Sequence, residues 1–114
     1  MSNDPTLSRD KLQAKIDLIT QRIVENYEPE KIILFGSVAR GETNRDSDID
    51  LFIVKKTNET RRHRGLEVGK LFLPRDFSLD VIVYTPEEVK DSYQNNFFIR
   101  EIIDNGKIIY QKTK

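Results

Sequence analysis

The sequence predicts a small α+β domain, on three observations. Over residues 8–27 the apolar positions Leu12, Ile16, Ile19 and Ile23 recur at the spacing of one helix face. Elsewhere the chain carries short aliphatic or alternating runs, over residues 32–35, 48–54, 77–84 and 107–110, of strand length and composition. Glycine, proline and asparagine stand between these runs, where the chain must turn.

Taken in order, residues 1–7 form a flexible lead-in and residues 8–114 a single domain. Ser8 is placed to cap the first helix, and Glu28-Pro29-Glu30 ends it. Ile32, Ile33, Leu34 and Phe35 make a buried strand, cut off by Gly36. Ser37 then stands in the first turn of a short helix, where backbone N–H groups can meet a phosphate. A polar connection over residues 41–45 leads to the strand Asp48 to Val54. The next helix is predicted from near Asn58 to before Pro74, with Leu66, Leu71 and Phe72 as its apolar positions and Val68 less well placed. Its Arg61, Arg62, His63 and Arg64 form the one basic cluster. They read as solvated helix surface, the alternative being contact with an acidic partner, nucleic acid or substrate phosphates. After the strand from Phe77 to Tyr84, Thr85-Pro86-Glu87-Glu88 carries a capping box with proline at the first helical position. That helix ends near Tyr93, and Asn95 or Asn96 caps another. Phe97, Phe98, Ile99, Ile102 and Ile103 give the second helix its apolar surface, with Phe97 and Phe98 read as core and a partner-binding surface as the alternative. Asn105-Gly106 closes it before a last short strand.

Composition narrows the function. The 114 residues hold 19 Lys plus Arg and 19 Asp plus Glu, so the net charge is zero and nothing global attracts nucleic acid. The absence of cysteine excludes disulfide scaffolds, thiolate metal sites and cysteine nucleophiles. The N-terminal residues lack a signal-type apolar segment, and no run approaches a membrane span, so the chain reads as soluble and cytoplasmic, with no membrane partner.

The chemistry is concentrated in KIILFGSVARGETNRDSDIDLFIV, residues 31–54. Alternation puts Asp48 and Asp50 on one strand face and Ile49, Leu51 and Ile53 on the other. Two adjacent carboxylates repel and weaken a strand, unless a divalent cation with hard oxygen ligands relieves them. A pair frayed into water is the plainer reading. Asp80 is a third carboxylate, inside an otherwise apolar strand, where it either meets a cation or hydrogen-bond partner or faces water from a sheet edge. Two other motifs fail. GSVARGET approaches a P-loop, but Glu42 stands in place of the phosphate-binding lysine, and an Asp-rich strand follows where a helix is required. Asp46, Asp48 and Asp50 mimic a calcium loop, but Leu51 and Thr57 occupy the positions of its glycine and closing glutamate.

Gly36-Ser37, ten residues, then Asp48-Ile49-Asp50 resembles the defining motif of the polymerase-β-type nucleotidyltransferase superfamily. GSVARGE followed by SDIDLFIV is most similar to its minimal nucleotidyltransferases, often antitoxin partners of HEPN-domain ribonucleases. The resemblance covers nearly the whole chain. It implies a polymerase-β-like α+β fold, a small mixed sheet with helices packed mainly on one face. It also implies a site in which Asp48, Asp50 and Asp80 hold Mg²⁺, two ions in all, while Gly36 and Ser37 position the phosphates of ATP. Arg40 either reaches a phosphate or pairs with Glu42 or Asp46. The implied reaction is transfer of AMP from ATP to a hydroxyl of a protein acceptor, a tyrosine of a HEPN ribonuclease toxin that is thereby neutralised. Two other functions stay open: a non-catalytic antitoxin acting by steric occlusion, and nucleotide addition to RNA 3′ ends, which the zero net charge disfavours.

Overall fold

A computed structural model describes residues 5–41 and 48–113. Helix α1 spans Pro5–Tyr27, followed by strand β1 (Lys31–Phe35), a single helical turn α2 (Gly36–Ala39) and β2 (Ile49–Val54). Helix α3 (Arg61–Gly69) runs into a 3₁₀ turn at Lys70–Phe72. Strand β3 (Leu79–Tyr84), helices α4 (Pro86–Asn95) and α5 (Phe97–Asn105), and β4 (Lys107–Gln111) complete the chain. Helix α1 takes in Pro5 to Leu7, three residues more than the Ser8 start; residues 1–4 of the expected lead-in lie outside the described residues.

The four strands form one mixed sheet in the order β3-β2-β1-β4. Strand β1 runs antiparallel to both β2 and β4, and β2 runs parallel to β3. Parallel neighbours need a crossover of a dozen or more residues, and α3 with the 3₁₀ turn supplies it. The sheet is buried on both sides. On one side Ile32, Leu34, Ile49, Leu51, Ile53, Leu79 and Val83 meet Ile16, Ile19 and Ile23 of α1, Val38 of α2 and Val68 of α3. On the other, Ile33, Phe52 and Tyr84 meet Ile99 and Ile102 of α5, with Val89 of α4 alongside. Most helices thus share one face, as the fold class implies, while α4 and α5 cover the second.

Helix ends follow local chemistry. The Thr85 hydroxyl accepts from the Glu88 backbone N–H while the Glu88 carboxylate accepts from the Thr85 N–H, the capping box expected of this sequence. Asn96 caps α5 by accepting from the Ile99 N–H. Helix α3 starts later than the sequence suggested, because Thr60, not Asn58, supplies the capping oxygen.

Three burial expectations are corrected. Val68 is fully buried and Leu66 is 62 % exposed, so the stripe of α3 lies on Arg64, Val68 and Phe72, spaced one turn apart. Arg64 is not solvated: it is only 6 % exposed, donates to the carbonyls of Glu59 and Val83, and pairs with the Glu88 carboxylate at 2.7 Å. One cation thereby ties α3, β3 and α4 together. Phe97 and Phe98 are 75 % and 52 % exposed and do not belong to the core, because Ile99 and Ile102 provide the inward face of α5.

Candidate active site

The strand register puts Phe35, Asp50 and Asp80 in one row across β1, β2 and β3. Residues opposite one another in a ladder point to the same face, and this row lies on the face covered by α4 and α5. The next row inward is Ile33, Phe52 and Ile82, wholly apolar. The face therefore changes from hydrocarbon to carboxylate at the last row of the sheet. Phe98 of α5 meets Phe35 edge-on, with ring centroids 6.0 Å apart, and so stands beside the acidic row.

Asp48, the predicted start of the strand, immediately precedes β2, which begins one residue later. It and Asp80 are exposed, whereas Asp50 is partly buried. Burial first, then the charges of Asp80 and Asp48 and a side-chain hydrogen bond with Asp80, push the Asp50 carboxyl up from 3.8 to about 6. Asp48 reaches the pair through its charge.

Gly36 explains the other half of the motif. Its φ is +79°, a conformation that glycine adopts freely, and a Cβ built on it would lie 2.2 Å from the Asp50 Oδ2. The turn from β1 into α2 therefore passes against the carboxylate with no room for a side chain. Ser37 follows in the first turn of α2, partly buried, where helix N–H groups lack intrahelical acceptors. Arg40 is exposed at the end of that turn, its backbone N–H bonded to the Gly36 and Ser37 carbonyls. Glu42 and Asp46, suggested as its ion-pair partners, lie outside the described residues.

Comparison with known proteins gives the family. Residues 17–114 match the polymerase beta, nucleotidyltransferase family model. The chain belongs to this nucleotidyltransferase family. A Methanocaldococcus jannaschii protein bearing the name "Putative protein adenylyltransferase MJ0604" is 35 % identical over 81 residues, which are 70 % of this chain and 77 % of that protein. The crystal structure of a "putative nucleotidyltransferase" from Sulfolobus solfataricus superposes with a TM-score of 0.67, covering 98 % of this chain and 91 % of the other at 20 % identity; that likeness concerns the fold.

Reactions of nucleotidyltransferases use a nucleoside triphosphate and a divalent cation. The donor set of this nucleotidyltransferase fits such an ion: carboxylate oxygens are hard ligands, and the crowding that raises Asp50 is the charge a dication offsets. Among the described residues no three acidic or histidine side chains converge into a ready-made metal cluster. Sequence reasoning missed the neighbours of the acids. Phe35 could have been found, since it alternates with Ile33, but the approach of Phe98 depends on how α5 crosses the sheet.

Among the described residues no helix is long and apolar enough to cross a membrane.

Proposed function

We propose that this nucleotidyltransferase is Mg²⁺-dependent and moves AMP from ATP onto a hydroxyl of a protein acceptor in the cytoplasm. The observation that carries the reading is the row joining Asp50 to Asp80 beside the Gly36 turn. Asp48, Asp50 and Asp80 would hold two Mg²⁺ ions, which when bound lower the pKa of the attacking hydroxyl and neutralise charge on the phosphates. Gly36 and Ser37 receive the β and γ phosphates, and Arg40 can extend to the same groups. The acceptor oxygen forms a bond to the α-phosphorus as the bond to the β-phosphate oxygen breaks, releasing pyrophosphate. The hydroxyl proton passes to Asp80, the more exposed of the paired carboxylates.

Two observations support a protein acceptor. The relative from M. jannaschii is named for adenylyl transfer to protein. Exposed Phe98 stands beside the acidic row, and with exposed Phe97 next to it in α5 it offers aromatic surface suited to a folded partner. The acceptor proposed is a tyrosine of a HEPN-domain ribonuclease toxin, which modification would neutralise. The same aromatic surface favours a second reading, an antitoxin that acts by occlusion alone. RNA 3′-end addition has no comparable support, and the zero net charge weighs against it.

The test is the intact mass of the HEPN protein after incubation with this chain, Mg²⁺ and each nucleoside triphosphate in turn. A gain of AMP units that requires ATP and disappears with Asp48→Asn supports transfer. A stable complex with no mass gain supports occlusion. Strong, salt-sensitive RNA binding with RNA extension would support the RNA reading.

A further inference from the structure

We propose that the outer edge of β3, with the basic groove beside it, docks an acidic, extended segment of the acceptor protein by strand addition, and that this segment carries the hydroxyl to be modified. The proposal rests on the transferase reading above, and names the surface that presents its substrate.

Strand β3 is an edge strand among the described residues. The Ile49 N–H donates to the Ser78 carbonyl and the Lys55 N–H to the Tyr84 carbonyl, so even-numbered residues of β3 turn their backbone groups toward β2. Leu79, Val81 and Val83 therefore turn theirs outward. The Val83 carbonyl is taken by Arg64 and the Val81 carbonyl lies close to Gly65 of α3, while Leu79 and Val81 line the groove beside the edge.

Between this stretch and α3 lies a groove of about 650 Å³. Its lining includes Arg61, Arg62, Lys70 and Arg75, with exposed Leu66 and Leu73, and no acidic residue among those described. Arg61 is held against Tyr84 and Glu88, and Lys70 lies 3.9 Å from Glu67. Arg62 and Arg75 have no carboxylate partner among the described residues, and Arg75 donates only to the Gly69 carbonyl. In a chain with zero net charge, a groove lined by four cations, of which Arg62 and Arg75 have no carboxylate partner among the described residues, carries a local excess that selects an acidic partner.

The pleat connects the groove to the acids. A strand added beside β3 alternates its side chains between the two faces, so acidic and apolar ones enter the groove while those between them lie on the face of Asp80. Directly opposite residues come within about 5 Å at Cβ, which places one such side chain next to Asp80. A nucleic acid would use the cations, but not the open backbone or the two leucines.

The test measures binding of a fluorescein-labelled Glu–Tyr copolymer to the full chain by anisotropy, without nucleotide or metal, against a Lys–Tyr copolymer and an oligoadenylate RNA. The Glu–Tyr copolymer is expected to bind best. Arg62→Glu with Arg75→Glu should weaken it by about tenfold or more, and the same charge change at Lys90 and Lys112 should leave it near wild type. Binding should slow amide exchange at Leu79 and Val81. Asp50→Asn should bind the copolymer and fail to label it with AMP. Stronger binding of either control polymer, indifference to the groove reversal, or unprotected Leu79 and Val81 amides would overturn the docking proposal. Groove-dependent docking with no transfer from any nucleotide would uphold the surface and defeat the catalytic reading; AMP transfer undiminished by the groove reversal would do the opposite.

Discussion

Replacing Asp50 by asparagine is expected to make the metal-free protein more stable at neutral pH while abolishing its chemistry. The Asp50 carboxyl is pushed up from 3.8 to about 6 by burial and by the adjoining Asp80 and Asp48. Undiminished, such a shift is equivalent to about 3 kcal/mol. Asp50 is only partly buried, so water and salt screen it, and about 1 kcal/mol is the discounted figure. The sign follows from the raised folded-state value. Below the unfolded value, near 3.8, both states are protonated and nothing is lost; as the pH rises toward 6 the folded state must ionise against its neighbours. Above that the loss is complete.

Asp50→Asn removes the ionisation and preserves the shape. Thermal unfolding in chelator at pH 7.5 should show a gain of about 4–8 °C over wild type for about 1 kcal/mol in a chain of this size. The gain should vanish below pH 4. Mg²⁺ should raise the melting temperature of wild type, and do so far less in the variant, because a cation relieves the same repulsion. An equal or lower melting temperature for Asp50→Asn at pH 7.5, or a gain independent of pH, would refute the reasoning that crowded carboxylates destabilise this end of the sheet.

Three further substitutions probe other links. Gly36→Ala places a Cβ in a left-handed backbone conformation and against the Asp50 carboxylate; urea unfolding should record a loss of about 1–3 kcal/mol from the backbone alone, and nucleotide transfer should fail as Asp50 is displaced. Arg64→Ala leaves the Val83 carbonyl without its donor and the Glu88 carboxylate with only the more distant Arg61, and should cost about 2–4 kcal/mol by the same measurement. The Arg64 hydrogen bond is the main cause holding Glu88 below its usual range, so that stabilisation is present above the unfolded value and lost as pH falls through the folded one; wild type and variant should converge in acid. Glu28 follows α1 with φ of +50°, and Glu28→Gly should stabilise the protein by about 0.5–1 kcal/mol in the same assay.

The sequence was most legible where one local rule acted alone. Alternation placed Asp50 and Asp80 on strand positions of one face, and the capping box at Thr85 follows from residue types at fixed spacing. It was least legible where burial depends on a distant element. Arg64 reads as one of a run of cations, and its burial depends on the carbonyl of Val83 and the carboxylate of Glu88, both from other elements, besides the nearby Glu59 carbonyl. Its position one turn before Val68 was the available signal, overlooked because Leu66 was given the stripe. Phe97 and Phe98 failed for the opposite reason: composition favours burying aromatics, but the cap at Asn96 sets the rotation of α5, and that rotation turns Ile99 and Ile102 inward.

The spacing within the glycine–aspartate motif has a geometric cause. Phe35 ends β1 and pairs with Asp50 near the start of β2, so Gly36 emerges from the sheet beside the carboxylate it must approach. Because β1 and β2 are antiparallel, the chain leaves and re-enters at the same end of the sheet. The ten residues between Ser37 and Asp48 supply the rest of α2 and the return. The Gly36 turn and the carboxylates of the strand are thereby brought to one sheet end by a single strand pairing, whatever the conformation of the connection. Parallel pairing of β2 with β3 then brings Asp80 into the row from the opposite side, after a crossover through α3. Two pairings of different kind thus converge on one row: the first is encoded in a short contiguous motif, and the second requires the fold.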